Sequence, residues 1–221
     1  MTARIHEYAL CSLKSGLVLL IVFSVGFIGC SSTERLSVKQ VYTKKQFSGR
    51  DLSGQTILLT PLITGQGAET GDPFKPSVLI GEINKARPDL RLKRPDAFLK
   101  RYQSLYGSDA LDTLYRNFFN GAIVTLQTDK RIWREIGSGY LMALKLTFGL
   151  KAKLLDDRTL RQMRLEGELW DCDSGEVVWR SVVDSRSRSV METDKDVLFK
   201  AVVKLFSVMP PVLEGYGKGS W

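Results

Sequence analysis

The sequence predicts an α+β fold, a single domain in which helices pack on a mixed sheet that includes an antiparallel three-strand meander. Three observations carry this. Apolar residues recur at helical spacing from Ser77 to Phe119; the period then falls from about 3.6 to 2 beyond Tyr140, the sign of strands replacing helices; and helical spacing returns from Asp194 to Met209. That mixture of elements forms one ordinary layered domain.

In chain order, Thr56-Ile-Leu-Leu-Thr60 reads as a first strand ended by Pro61, and Gly65, Gly67, Gly71, Pro73 and Pro76 mark an irregular loop. Ser77 to Ala86 places Leu79, Ile80 and Ile83 on one side of a short helix, with Ser77 as its expected cap. Leu90 and Leu92 alternate with charged residues in a short strand before Pro95. Two helices follow: one opens at Pro95 with the stripe Phe98, Tyr102 and Leu105 and stops at Gly107; the other starts near Ser108-Asp109 with Leu111, Leu114, Tyr115, Phe118 and Phe119. Tyr140, Met142, Leu144, Leu146, Phe148 and Leu150 then share one strand face, opposite Lys145, Thr147, Lys151 and Lys153. Asp156-Asp157 turns the chain. Arg161 to Leu169 alternates again, Asp173-Ser-Gly175 makes a tight turn, and Val177, Trp179 and Val183 line a third strand opposite Arg180, Asp184, Arg186 and Arg188. The last helix carries Val197, Leu198, Ala201, Val202, Leu205 and Phe206 and is stopped by Pro210-Pro211.

The N-terminal segment has a different character. Arg4 and Lys14 precede an uncharged apolar run, Gly16 to Gly29, shorter than the ~20 residues a membrane span needs, and this is the layout of an export signal. The run ends in Phe27-Ile28-Gly29-Cys30, which resembles the lipobox of bacterial lipoproteins, in which the cysteine is acylated and becomes the first mature residue. Phe27 departs from the aliphatic residue usual there. The expected organisation is a signal peptide over 1–29, a lipidated tether over 30–54, a periplasmic α+β domain over 55–209 and a C-terminal tail over 210–221. The alternative for the N-terminus is an uncleaved signal anchor. Ser31 in place of aspartate resembles the sorting pattern for the outer membrane, with the domain facing the periplasm.

Composition narrows the chemistry. Arg4, Lys14 and Glu7 leave with the signal, so the formal charge falls from +8 to +7, and a basic surface favours anionic partners. An exported, tethered chain does not meet nucleic acid. The single histidine, His6, lies in the signal; the mature chain therefore has neither a histidine-dependent nucleophile nor a histidine metal ligand. No catalytic, cofactor-binding or metal site is predicted and no cofactor is implied. Gly65-Gln-Gly67 with Gly71 has the wrong spacing for a dinucleotide loop. Of three cysteines, Cys11 lies in the signal and Cys30 carries lipid, so Cys172 stands alone and reads as a packing residue or an interchain bridge. Basic clusters (Arg87, Arg91, Lys93, Arg94, Lys100, Arg101; and Arg180, Arg186, Arg188) are either solvated faces or docking surfaces for peptidoglycan, lipid headgroups or an acidic protein. Tyr216 and Trp221 in the tail either fold back or contact a partner.

Thr56 to Pro61, Gly139 to Leu144 and the hairpin Leu169-Trp-Asp-Cys-Asp-Ser-Gly-Glu-Val-Val-Trp179 resemble a set of envelope lipoproteins. Their shared fold occurs in the periplasmic part of the curli secretion lipoprotein, in the lipoprotein that activates a penicillin-binding protein and in the N-terminal domain of the Tol translocation protein. The resemblance implies interaction rather than catalysis, in an accessory or regulatory subunit of a secretion, surface-appendage or cell-wall-synthesis complex. Its partners would be the membrane, through the lipid, and an envelope protein, with peptidoglycan contact and homo-oligomerisation as further options. No long membrane-inserting hairpin is present to imply a channel. Two alternatives remain: an enzyme on cell-wall or surface polymer using Asp157, Glu166 or Glu168, and a structural ring.

Overall fold

In the computed structural model, residues 34–64, 67–68, 74–120, 137–154 and 158–212 are described. They form β1 (Arg35–Thr43), β2 (Thr56–Thr64), β3 (Gly67–Ala68), α1 (Pro76–Ala86), β4 (Arg91–Lys93), α2 (Asp96–Tyr106), α3 (Asp109–Phe119), β5 (Tyr140–Lys153), β6 (Thr159–Asp171), β7 (Glu176–Ser189) and α4 (Asp194–Ser207). The strands make one sheet in the order β1-β7-β6-β5-β2-β3, with β4 also paired to β2. β5, β6 and β7 are the expected antiparallel meander, while β2 runs parallel to both β5 and β4, so the sheet is mixed. The α+β fold is as the sequence predicted.

Alternation along β5 buries both faces of its first half. Met142 and Leu144 join Leu59, Leu169 and Trp179 in a core completed by α1 and α4. Leu141 and Ala143 join Leu58, Ile63 and Trp170 in a second core completed by α2 and α3. Trp179, fully buried in the first core, closes the β6–β7 hairpin, whose turn depends on Gly175 at φ 71°.

Several local expectations change. β2 does not end at Pro61 but continues to Thr64. Its register against β5 shifts between Leu59 and Leu62, so the missing proline N–H falls at an irregularity, and the Leu144 N–H donates instead to Thr60 Oγ1 at 3.3 Å. Ser77 does not cap α1. Lys75 occupies that position, with Pro76 opening the helix, where no N–H is needed. Leu105 leaves the α2 stripe and is 47% exposed. A second register shift, between Leu146 and Phe148, sets Leu150 on the opposite face from Met142 and Leu144, where it is 42% exposed.

The largest correction concerns the tether. Residues 30–54 do not all belong to it, because Arg35–Thr43 is the edge strand β1, antiparallel to β7. Leu36 and Val38 pack against the first core while Arg35, Ser37 and Lys39 stay outward, an alternation too short and too polar to stand out in sequence but typical of an edge strand. The following segment is also packed: Leu52 is buried and the Phe47 ring meets Tyr140 edge-on at 6.2 Å. At Gly49 an added Cβ would lie 1.7 Å from the Pro211 carbonyl oxygen. α4 begins with a reciprocal cap in which the Asp196 N–H donates to Thr193 Oγ1 and the Asp196 carboxylate accepts from the Thr193 N–H. All described residues fall in one compact unit, 34–221.

Gly49→Ala must move backbone and is expected to lower stability by about 1–3 kcal/mol in urea denaturation. Gly81→Ala, where a Cβ meets nothing within 4 Å on a helix, should raise it by roughly 0.5–1 kcal/mol. A neutral Gly49→Ala would return that segment to a loose tether.

Candidate functional site

α2 and α3 cover the second sheet face over β2, the first half of β5 and the β6–β7 hairpin end at Trp170 and Val177. Beyond them the same face continues across β6, β7 and β1 as a polar surface. Cross-strand register places Glu168 opposite Arg180, Arg164 opposite Asp184, Gln162 opposite Arg186, and Arg186 opposite Arg35.

Where the covered part meets the open part lies a buried ionic cluster. The Lys145 Nζ is 2.6 Å from Glu168 Oε2, and these side chains are 2% and 0% exposed. The Arg180 guanidinium closes the other side of Glu168, donating through Nε at 2.6 Å and also through Nη2, and its Nε lies 2.9 Å from Glu166. Burial pushes the Glu166 carboxyl up, partly opposed by the charge of Lys145. Chemically the cluster is two carboxylates held by two cations, so Glu166 and Glu168, the sequence candidates for an acid/base pair, are already engaged. Sequence periodicity sets Lys145 on the strand face opposite Met142 and Leu144, with Thr147, Lys151 and Lys153. No local signal marks its burial, because Glu168 reaches it only by strand pairing.

Further along the open face is a cavity of about 640 Å³, whose lining includes Arg35, Ser37, Thr147, Gln162, Arg164 and Arg186. Asp184 also lines it, and accepts from Arg164 Nε at 2.6 Å and Nη2 at 3.1 Å. Among the described residues, no group of three or more acidic, cysteine or histidine side chains is arranged to hold a metal.

The other sequence candidates separate. Cys30, Asp157, Tyr216 and Trp221 lie outside the described residues. Cys172 is buried in the second core, and burial pushes its thiol up, which suits packing rather than an accessible bridge. Arg87 does not belong to a basic surface cluster: it is buried, donates to both Asp89 carboxylate oxygens at 2.8 Å, and donates to the carbonyls of Phe206, Met209 and Pro210 at 2.7–3.1 Å. These bonds tie the last turn of α4 and the residues that follow it to the Arg87–Asp89 pair. Arg91, Lys93, Arg94, Lys100 and Arg101 remain exposed.

No family model and no curated protein sequence matches the chain. Solved structures similar to it include a PelC dodecamer from Paraburkholderia phytofirmans, at 13% identity and TM-score 0.47, covering 80% of this chain and 99% of that one. Lipoprotein GNA1162 from Neisseria meningitidis matches at 12% identity and TM-score 0.36 over 69% and 98% of the two chains. The LpoB C-terminal domain from Salmonella enterica matches at 12% and 0.39 over 64% and 86%. A lipoprotein is therefore among the structures this chain is similar to.

Two measurements test these ion pairs. The hydrogen bonds from Arg87 hold the Asp89 carboxyl at about 2, below its ordinary 3.8, so their stabilisation is complete above the ordinary value and is lost as pH falls through about 2. Urea midpoints should decline over that window in the native protein and decline less in Arg87→Ala. At the buried cluster, Glu168→Ala strips Lys145 and Arg180 of a shared partner and should cost about 3–5 kcal/mol, whereas Lys145→Met leaves Glu168 on Arg180 and should cost less. Equal losses in the two variants would show that Arg180 does not hold Glu168.

Proposed function

We propose that this chain is a non-catalytic periplasmic lipoprotein, anchored to the outer membrane through Cys30, that serves as an accessory or regulatory subunit of an envelope assembly complex. The observation that carries the proposal is Phe27-Ile28-Gly29-Cys30 at the end of an uncharged run preceded by Arg4 and Lys14. The folded domain supports it in two ways. Glu168 is tied to both Lys145 and Arg180 and Glu166 to Arg180 in one ion-pair cluster, and the open sheet face offers a surface for binding. Because β1 starts at Arg35, only Ser31 to Glu34 separate a lipidated cysteine from the sheet, so the domain would act close to its membrane rather than reach across the periplasm.

Cell fractionation with labelled palmitate tests the anchor. The native chain should take up label and sediment with outer membrane, and Cys30→Ala should lose the label and become soluble or mislocalised. Unchanged membrane retention of Cys30→Ala would instead identify an uncleaved signal anchor. Affinity purification from native membranes should recover components of one envelope assembly; abundant bystanders alone would count against an accessory subunit.

A further inference from the structure

The cavity on the open face has an electrostatic imbalance that its own ion pairs do not resolve, and this holds independently of the lipid anchor. Arg35 and Arg186 are direct cross-strand partners, and like charges in that position destabilise a sheet. Of the three arginines lining the cavity, Arg164 is matched by Asp184, the carboxylate among the lining residues. Two positive charges are left over. Arg186 Nε is moreover enclosed without a hydrogen-bond acceptor among the described residues. A buried donor on a charged group is costly to leave unpaired, and such donors in folded proteins are commonly met by water, an ion or a ligand. An oxyanion would meet both needs at once, since it accepts from a guanidinium fork and screens the two arginines from each other.

The remaining lining narrows the ligand. Met163 and Ser185 complete the wall, and Ser37, Gln162 and Thr147, whose hydroxyl also donates to the Arg164 carbonyl at 3.4 Å, present neutral polar groups of the chemistry that matches sugar hydroxyls. The volume, about 640 Å³, falls within the roughly 300–1,000 Å³ usual for small-molecule sites. We propose that the cavity between β1, β7, β6 and β5 binds an acidic sugar residue, with its carboxylate or phosphate between Arg35 and Arg186 and its hydroxyls on Ser37, Thr147 and Gln162. Arg164, held by Asp184, fixes the opposite wall. The anion can come from a uronic acid or from a sugar phosphate, and the charge on the ligand distinguishes the site from a neutral carbohydrate surface.

Titration calorimetry on the full chain in detergent tests this with three probes: trigalacturonate, glucose 6-phosphate and the neutral trisaccharide galactotriose. At least one acidic probe should bind, more weakly as salt is raised, and galactotriose should not. Arg186→Gln should weaken binding about tenfold or more, as expected for loss of a charge-assisted hydrogen bond, while Lys93→Gln on the exposed strand β4 should not change it. If Arg186→Gln fails to melt like the native protein, Arg35→Gln on the edge strand provides the same test. Binding of trigalacturonate alone assigns a uronic acid, and binding of glucose 6-phosphate alone assigns a sugar phosphate. The proposal is overturned by equal binding of galactotriose, by no binding of either acidic probe, or by full affinity in a folded arginine variant.

Discussion

Leu141, Met142, Ala143 and Leu144 are consecutive, fully buried residues of β5, so the centre of the sheet has to be covered on both faces. That constraint organises the molecule. Period two divides the four residues between two cores, and each core recruits its own pair of helices, α1 with α4 and α2 with α3. Parallel pairing of β2 with β5 follows, because the helical crossover between them brings the chain back to the sheet in the same direction.

The two faces are not covered to the same extent. α4 extends the first core across β6 and β7, where Leu205 and Phe206 share that core with Trp179 and Val183. α2 and α3 end their cover on the other face near Trp170, and beyond it side chains of the same strands turn polar. The Lys145–Glu168–Arg180 cluster stands at that border. One end of it is as buried as the core and the other reaches solvent through Arg180, 35% exposed. Removing one member of such a buried set is costly because the remaining charge is stranded, so the cluster fixes strand register as well as joining the two zones. The open zone beyond it is where three arginines, one carboxylate and neutral polar groups surround a cavity.

Much of this was legible in the chain. The change of period locates the meander, and the stripe in Asp194 to Met209 anticipates the buried face of α4. The departures at β1 and at Arg87 share a physical cause: each depends on a partner distant in sequence. Arg35–Thr43 looked like a tether because an edge strand needs only a few apolar residues, and its pairing with β7 spans some 140 positions. Arg87 looked like part of a basic run because its acceptors at the end of α4 lie about 120 residues away. Leu150 departs from strict alternation because a bulge between Leu146 and Phe148 resets it, with Gly149 directly beside the bulge.

The sequence by itself determined the class of fold, the elements whose periodicity is local, the absence of histidine beyond position 6, and the lipobox-like ending at Cys30, since each rests on residue types and spacings within a short window. Only the tertiary structure decided which charges are buried and which stay free. Lys145 and Arg35 carry the same charge and both sit on strands, yet pairing sets one against Glu168 in the interior and the other against Arg186 on an open face. Desolvation and cross-strand geometry separate a structural ion pair from an unbalanced cationic cavity, and both are fixed by contacts that no local window contains.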